Sequence, residues 1–186
     1  RYPIHPGLLG QEIRALAALG REREVSDLLL EGRSLPGNRE SEAVVAGMEL
    51  RAHGYPDAAR RIFKQAVDWL QESLVEGQPT RRRRLDLARA LYGSERWSEA
   101  QEVATALLAE ESDDPTILGL VGCAAARLGD TLQAETFMDR LSSVDRPEGP
   151  GELHYQMATI AAVLGQPDEA MRLLYQAYSE GLTHGL

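Results

Sequence analysis

The sequence contains few of the residues that build disulfides, metal sites or thick aromatic cores. Cys123 is the single cysteine among 186 residues, which excludes an internal disulfide and a cysteine-based zinc site and indicates a reducing, cytoplasmic setting. Aromatic residues make up 5% of the chain, while alanine and leucine are abundant. No apolar run approaches the roughly 20 residues of a membrane-spanning helix, and no signal peptide is visible. The composition therefore predicts thin, closely packed helices and no membrane insertion.

Positive charge is the minority sign in this chain. Lysine and arginine together number 20 against 29 aspartate and glutamate residues, for a formal net charge of -9, and Lys64 is the single lysine. Proteins that bind nucleic acids usually have the opposite balance, so we expect no nucleic-acid partner. With 43% hydrophobic and 26% charged residues, the sequence is typical of a folded chain rather than a disordered one.

Recognisable catalytic motifs are missing as well. The sequence has no phosphate-binding glycine loop, no nucleophile elbow and no His-Glu-x-x-His helix. Asp113 and Asp114 are better explained by capping of the following helix than by metal binding. The histidines are scattered, and each lacks a neighbouring ligand at helical spacing; they are His5, His53, His154 and His184. We therefore predict that the chain is not an enzyme and has no metal site and no cofactor.

The sequence does contain predicted helix ends that recur at regular spacing. Gly20 and Gly54 each follow a short apolar helical stretch and lie 34 residues apart. Glu95 fills the same slot 41 residues later, Gly129 follows after another 34, and Gly165 after another 36. A period of this length is the signature of stacked helix–turn–helix units. The sequence thus predicts an all-α fold of about five helix pairs.

The predicted units form one domain over residues 1–186. Seven extra residues between the second and third units indicate a longer second helix there, from Phe63 to Leu74. The expected repeats are residues 6–36, 40–76, 80–112, 115–146 and 151–180.

Residues at fixed places within each unit are similar to a known family. The second unit has a small residue within its first helix, a glycine stop, an aromatic residue, an alanine, then a second aromatic residue and a second alanine: Gly47, Gly54, Tyr55, Ala59, Phe63 and Ala66. This pattern resembles the tetratricopeptide repeat, and the first unit is its most divergent copy, with Val25 and Gly32 at the two alanine slots. The resemblance implies a right-handed α-solenoid whose first helices line a concave groove and whose ligands are proteins or peptides. The tail of the chain also resembles repeat modules attached to bacterial signalling proteins.

Small residues are expected where the two helices of a pair cross. Antiparallel helices approach to about 8 Å only where side chains are small. The alanines that mark these crossings are Ala59, Ala100, Ala134 and Ala170.

The groove that the resemblance implies carries arginine in four of the five units, although the chain is acidic. We expect it to recognise an extended acidic peptide, because arginine binds carboxylates through two hydrogen bonds. The expected lining is Arg14, Met48, Arg51, Arg82, Leu85, Arg89, Tyr92, Cys123, Arg127, Tyr155 and Thr159. Cys123 is either a small packed side chain or a groove thiol. The run Arg81–Arg84 is either a solvated face, paired in part with Glu76 or Asp86, or a docking patch.

The end of the last predicted helix carries apolar side chains that a further helix would normally cover. These residues are Met171, Tyr175 and Tyr178, and they are candidates for a contact between copies of the chain. The chain begins at Arg1 rather than at methionine, which indicates a fragment or a processed product.

These observations predict a protein–protein interaction scaffold, the binding or regulatory module of a larger bacterial protein. Two alternatives stay open. The groove could enclose a peptide or small ligand, as in a sensor or chaperone, or the chain could be a self-assembling structural module.

Overall fold

The computed structural model describes residues 6–31, 39–76, 80–110, 113–145 and 151–182. Within these ranges every regular element is an α-helix, and there is no strand. The helices are α1 Pro6–Ala18, α2 Glu22–Glu31, α3 Arg39–Ala52, α4 Pro56–Glu76, α5 Arg81–Gly93, α6 Trp97–Leu108, α7 Pro115–Arg127, α8 Thr131–Ser142, α9 Glu152–Val163 and α10 Pro167–Ser179. The predicted all-α class and the extended second helix of the second unit, α4, are confirmed.

The helices group into two compact units. Unit 1 is Arg1–Arg96 and contains α1 to α5, and unit 2 is Trp97–Leu186 and contains α6 to α10. The boundary falls between the two helices of the third predicted repeat. The assignment of one continuous domain stays a prediction.

Each predicted helix stop has the left-handed backbone that ends an α-helix. In this conformation the amide of the residue after the stop reaches a carbonyl in the last turn, as Arg21 N does to Leu16 O at 2.9 Å. Glu95 adopts it without being glycine, with φ of 69°, and therefore carries the steric cost of a Cβ there. The glycines that adopt it are Gly20, Gly54, Gly129 and Gly165.

Several helix starts are capped by side chains, which explains where the helices begin. Asp114 accepts a hydrogen bond from Ile117 N at 3.1 Å and is followed by proline at the first helical position, as the sequence predicts. Thr80 caps α5 through Arg83 N at 3.3 Å, and Asp130 caps α8. These caps fix the entry of the chain into three of the helices that carry the candidate surfaces.

Phe63 is central to the packing of unit 1. A Cβ placed on Gly47 of α3 would lie 2.7 Å from its ring, and one placed on Gly93 of α5 would lie 2.5 Å from it. Ala59, one turn earlier on α4, is fully buried. Three helices therefore meet at one aromatic ring because two of them have no side chain at that point.

Unit 2 is packed through small residues in the same manner. Ala100 and Ala134 are fully buried at the predicted crossings, whereas Ala170 in the last pair is half-buried. A Cβ on Gly122 would lie 2.4 Å from Ile160. Leu128, the C-terminal cap residue of α7, is 46% exposed.

Candidate interaction surface

The first candidate surface lies in unit 1 and is formed by helices α1, α3 and α5. Helix α3 packs against both of the others, so the three lie side by side. Each is the first helix of a predicted repeat. The predicted groove residues on these helices are Arg14, Met48, Arg51, Arg82, Leu85, Arg89 and Tyr92.

Two arginines of α5 lie beside one buried carboxylate. Arg82 Nε is 4.0 Å from Asp86 Oδ2, and Arg89 Nη1 is 3.8 Å from Asp86 Oδ1. Ser41 on α3 donates a hydrogen bond to Asp86 Oδ2 at 2.6 Å. Asp86 is buried, whereas the Arg82 side chain is 77% exposed and the Arg89 side chain is 37% exposed, so Arg82 directs most of its charge toward solvent.

Arg51 is held within the fold. Its Nη2 donates to Gly93 O at 2.5 Å, and its guanidinium lies 5.2 Å from the centre of the Phe63 ring. This arginine therefore joins the end of α3 to the end of α5. These contacts indicate that Arg51 has a role in packing, in addition to any role in the candidate surface.

The remaining predicted residues of unit 1 differ in exposure. Arg14 is exposed and Met48 is 54% exposed, whereas Leu85 and Tyr92 are half-buried. Within the Arg81–Arg84 run, Arg82 is exposed and the other three are half-buried. The run is thus divided between one solvent-facing guanidinium and three that are in part covered by the fold.

The second candidate surface lies in unit 2, on α7 and α9. Cys123 is buried, and its thiol donates toward Thr159 Oγ1 at 3.6 Å. Thr159 in turn donates to Gln156 O at 2.7 Å. Burial raises the pKa of Tyr155, and the nearby Glu152 carboxylate adds to the effect. The burial of Cys123 favours its interpretation as a small packed side chain.

Arg127 ends α7 with an exposed side chain whose guanidinium lies 6.0 Å from the Trp97 ring centre. A cation in the last helical turn also complements the negative end of the helix dipole. The predicted groove residues of this unit, Arg127, Tyr155 and Thr159, therefore come from two helices that pack against each other.

The end face on α10 is apolar and open to solvent. Tyr175 and Tyr178 are exposed, as is Met171, while Leu173 and Ala177 on the other side of the helix are buried. Among the described residues, no group of three or more His, Cys, Asp or Glu side chains is placed to hold a metal ion. Nor does any helix in the described ranges combine the length and apolarity needed to cross a membrane.

Two features of the surface were missed by the sequence reasoning. Asp86 was considered only as one partner of the arginine run, although its spacing of four residues from Arg82 and three from Arg89 places all three on one helix side. The second feature is the division of charge. Unit 1 contains 16 basic and 14 acidic residues and unit 2 contains 4 and 15, so their formal charges are +2 and -11.

Solved structures with this arrangement of helices are tetratricopeptide-repeat proteins. The chain is 19% identical to the crystal structure of Podospora anserina putative kinesin light chain nearly identical TPR-like repeats, with a TM-score of 0.50 over 95% of this chain and 96% of that one. A second crystal structure of those repeats gives a TM-score of 0.51 at 18% identity, covering 92% of each chain. A thermophilic TPR protein of Thermus thermophilus is 22% identical, with a TM-score of 0.48 over 76% of this chain and 74% of that one.

These likenesses confirm the fold: the chain has the tetratricopeptide-repeat architecture that its residue pattern predicts. No protein-family model matches the sequence, and no curated protein matches it. A repeat fold of this kind hosts many unrelated ligands, so function has to be argued from the surface residues themselves.

Proposed function

We propose that the chain is a protein–protein interaction module whose unit 1 binds an extended acidic segment of a partner on the face of α1, α3 and α5. The observation that supports this most directly is Arg82. Its side chain is 77% exposed beside the buried Asp86, in a chain whose net charge has the opposite sign.

The chemistry of the face suits carboxylates. Arginine presents a rigid fork of donors that binds a carboxylate through two hydrogen bonds. Arg82 and Arg89 share one acid, so the three groups together keep a positive charge, and Arg14 adds another on α1.

Apolar side chains lie among these charges. Met48 is 54% exposed on α3, and Leu85 is half-buried between Arg82 and Arg89 on α5. Buried apolar contact supplies affinity while charge supplies specificity and association rate. The preferred segment is therefore acidic with interspersed leucine or methionine.

In unit 2 we propose a separate contact for the partner on α7 and α9, through Arg127, Tyr155 and Thr159. Arg127 contributes a cation, and Tyr155 contributes an aromatic ring beside the neighbouring threonine. A half-buried tyrosine provides a large contact area at small entropic cost.

Peptide binding to the full chain tests the proposal. Fluorescence anisotropy would compare a labelled peptide of about ten residues, rich in glutamate and leucine, with its glutamine counterpart. Titrations at about 20 mM and about 500 mM salt change the screening length from about 20 Å to about 4 Å. We expect the acidic peptide to bind more tightly, and its affinity to fall with salt.

The variant Arg82→Glu/Arg89→Gln removes two positive charges from the face and adds one negative charge, a change of three charge units. Its matched control, Arg23→Glu/Lys64→Gln, makes the same change of charge on exposed positions of α2 and α4. We expect at least tenfold weaker binding in the first variant and little change in the control. Equal affinities in the two variants would show that the peptide binds elsewhere.

A further inference from the structure

We infer that the chain associates with itself head to tail: helix α8 in unit 2 of one copy docks on the α3 and α5 face of unit 1 in a second copy. The inference rests on the arginine face of the proposed function and names its occupant as another copy of this chain. It is argued from charge complementarity and from the exposed side chains of α8.

The two units have opposite formal charge. Sixteen of the 20 basic residues lie in unit 1, which carries +2, whereas unit 2 has 4 basic and 15 acidic residues and carries -11. Opposite potentials attract separate copies at low salt, and like potentials repel, so contacts of unit 1 with unit 2 are favoured over contacts between like units.

Helix α8 has an exposed side that carries both negative charge and an apolar side chain. Leu132 is 76% exposed, and Glu135 and Asp139 follow at helical spacing and are exposed. Ala134 and Leu141, on the other side of the helix, are buried.

The charges near this side of α8 leave its two acids available. The basic side chain of α8, Arg140, lies 4.0 Å from Asp113 and 5.5 Å from the centre of the Phe137 ring. Glu135 and Asp139 take part in no ion pair with another residue of the described ranges. A carboxylate without a partner loses no existing ion pair when it meets an arginine of a second copy.

Helix α5 offers groups of opposite charge together with an apolar side chain. Arg82, Leu85 and Arg89 lie at positions i, i+3 and i+7, and Leu132, Glu135 and Asp139 have the same spacing on α8 with charge and leucine in a different order. Each row extends over about 10 Å of helix. An amphipathic helix laid on a groove through residues at this spacing is a recurrent binding mode.

Such a contact joins two different surfaces, so it is heterologous. Each copy offers one face of each kind, and association therefore continues beyond a dimer unless the chain of contacts closes into a ring. We expect the average molar mass in solution to rise with protein concentration and to fall with added salt.

Sedimentation velocity of the full chain tests this directly. The wild type would be compared with a unit 1 variant, Arg82→Glu/Arg89→Gln, and a unit 2 variant, Glu135→Arg/Asp139→Lys, from about 1 µM to about 200 µM. We expect the wild type to associate at about 20 mM salt and to dissociate at about 500 mM. Each variant alone is expected to stay monomeric.

Mixing the variants provides the internal control for folding. The unit 1 variant keeps a native unit 2, and the unit 2 variant keeps a native arginine face, so the mixture should form a one-to-one complex that neither forms alone. A complex in the mixture shows that both variants are folded. Tyr175→Ser/Tyr178→Ser, on the exposed side of α10, should associate like the wild type.

Three results would overturn the inference. These are a wild type that is monomeric across the series, association that survives both charge changes, and association that is lost in the α10 variant. A monomeric wild type that still binds the acidic peptide removes this inference alone and leaves the proposed function standing. Self-association with no peptide binding would instead remove the extended-peptide proposal.

Discussion

Replacing Gly151 with alanine should destabilise unit 2 more than any other glycine-to-alanine change at its helix ends. Gly151 precedes α9 with φ of 74° and is buried. A Cβ there would lie 2.1 Å from Ala177 O, which belongs to the backbone of α10. Neither atom can rotate away, because a Cβ has no torsion of its own and a helical carbonyl is held by its hydrogen bonds.

The expected magnitude has two parts. A non-glycine residue in the left-handed region costs about 1–2 kcal/mol. Forcing an extra methyl group against packed backbone adds about 1–3 kcal/mol. Gly165→Ala is the matched control, since Gly165 has φ of 75° and no atom within 4 Å of its Cβ position, so it carries the backbone cost alone.

Urea unfolding followed by tryptophan fluorescence measures the difference. The two tryptophans are Trp69 in unit 1 and Trp97 in unit 2, so a Trp69→Phe background lets the signal report unit 2. We expect Gly151→Ala to lower the free energy of unfolding by about 1–3 kcal/mol more than Gly165→Ala. Equal losses would refute the reasoning, because they would mean that α10 moves away from the new methyl group at no cost.

Three further predictions concern stability. Ala134→Leu should overpack the fully buried crossing of unit 2 and cost about 1–3 kcal/mol, and an unchanged melting temperature would contradict this. Glu95→Gly should raise the free energy of unfolding by about 1 kcal/mol, because glycine adopts the left-handed backbone at φ of 69° without the steric cost of a Cβ. The substitution removes an exposed ion pair with Arg60, which contributes little. A lower free energy of unfolding in urea would show that the ion pair contributes more than the backbone strain costs. The hydrogen bond from Arg61 lowers the pKa of Glu22 below its ordinary value of 4.5. The ionised Glu22 therefore adds to the free energy of unfolding above about pH 4.5, and this stabilisation is lost as pH falls through the folded-state pKa. Glu22→Gln should therefore make stability less sensitive to acid than in the wild type, and identical profiles of melting temperature against pH would exclude the effect.

The helix ends could be predicted because their chemistry is local. A residue in the left-handed region closes the last helical turn by itself, so the helix ends at Gly20, Gly54 and Gly129 can be predicted from the spacing of these glycines. The same spacing identified Glu95 although its residue type argues against that backbone. Caps such as Asp114 are local in the same sense, because the acceptor and the amide that it binds are three residues apart.

The packing contacts could not be predicted because they join residues that are distant along the chain. Nothing in the sequence near Gly93 indicates that Phe63 occupies the space over it. The buried position of Asp86 depends on Ser41, which lies 45 residues away on α3. The difference in charge between the units follows from the sequence, but it can be calculated only once the unit boundary is known, because the net charge of -9 describes the whole chain.

The position of the arginine run is the feature that connects stability with the proposed interaction. Helix α5 begins at Arg81, and cations in a first turn oppose the positive end of the helix dipole. Thr80 supplies a side-chain cap, and Asp86 supplies a carboxylate in the second turn at 4.0 Å from Arg82, so the fold contains groups that offset part of this cost. Local helix stability favours acids at this position, so the helix dipole does not account for Arg82, and the proposed function assigns it a carboxylate on another molecule.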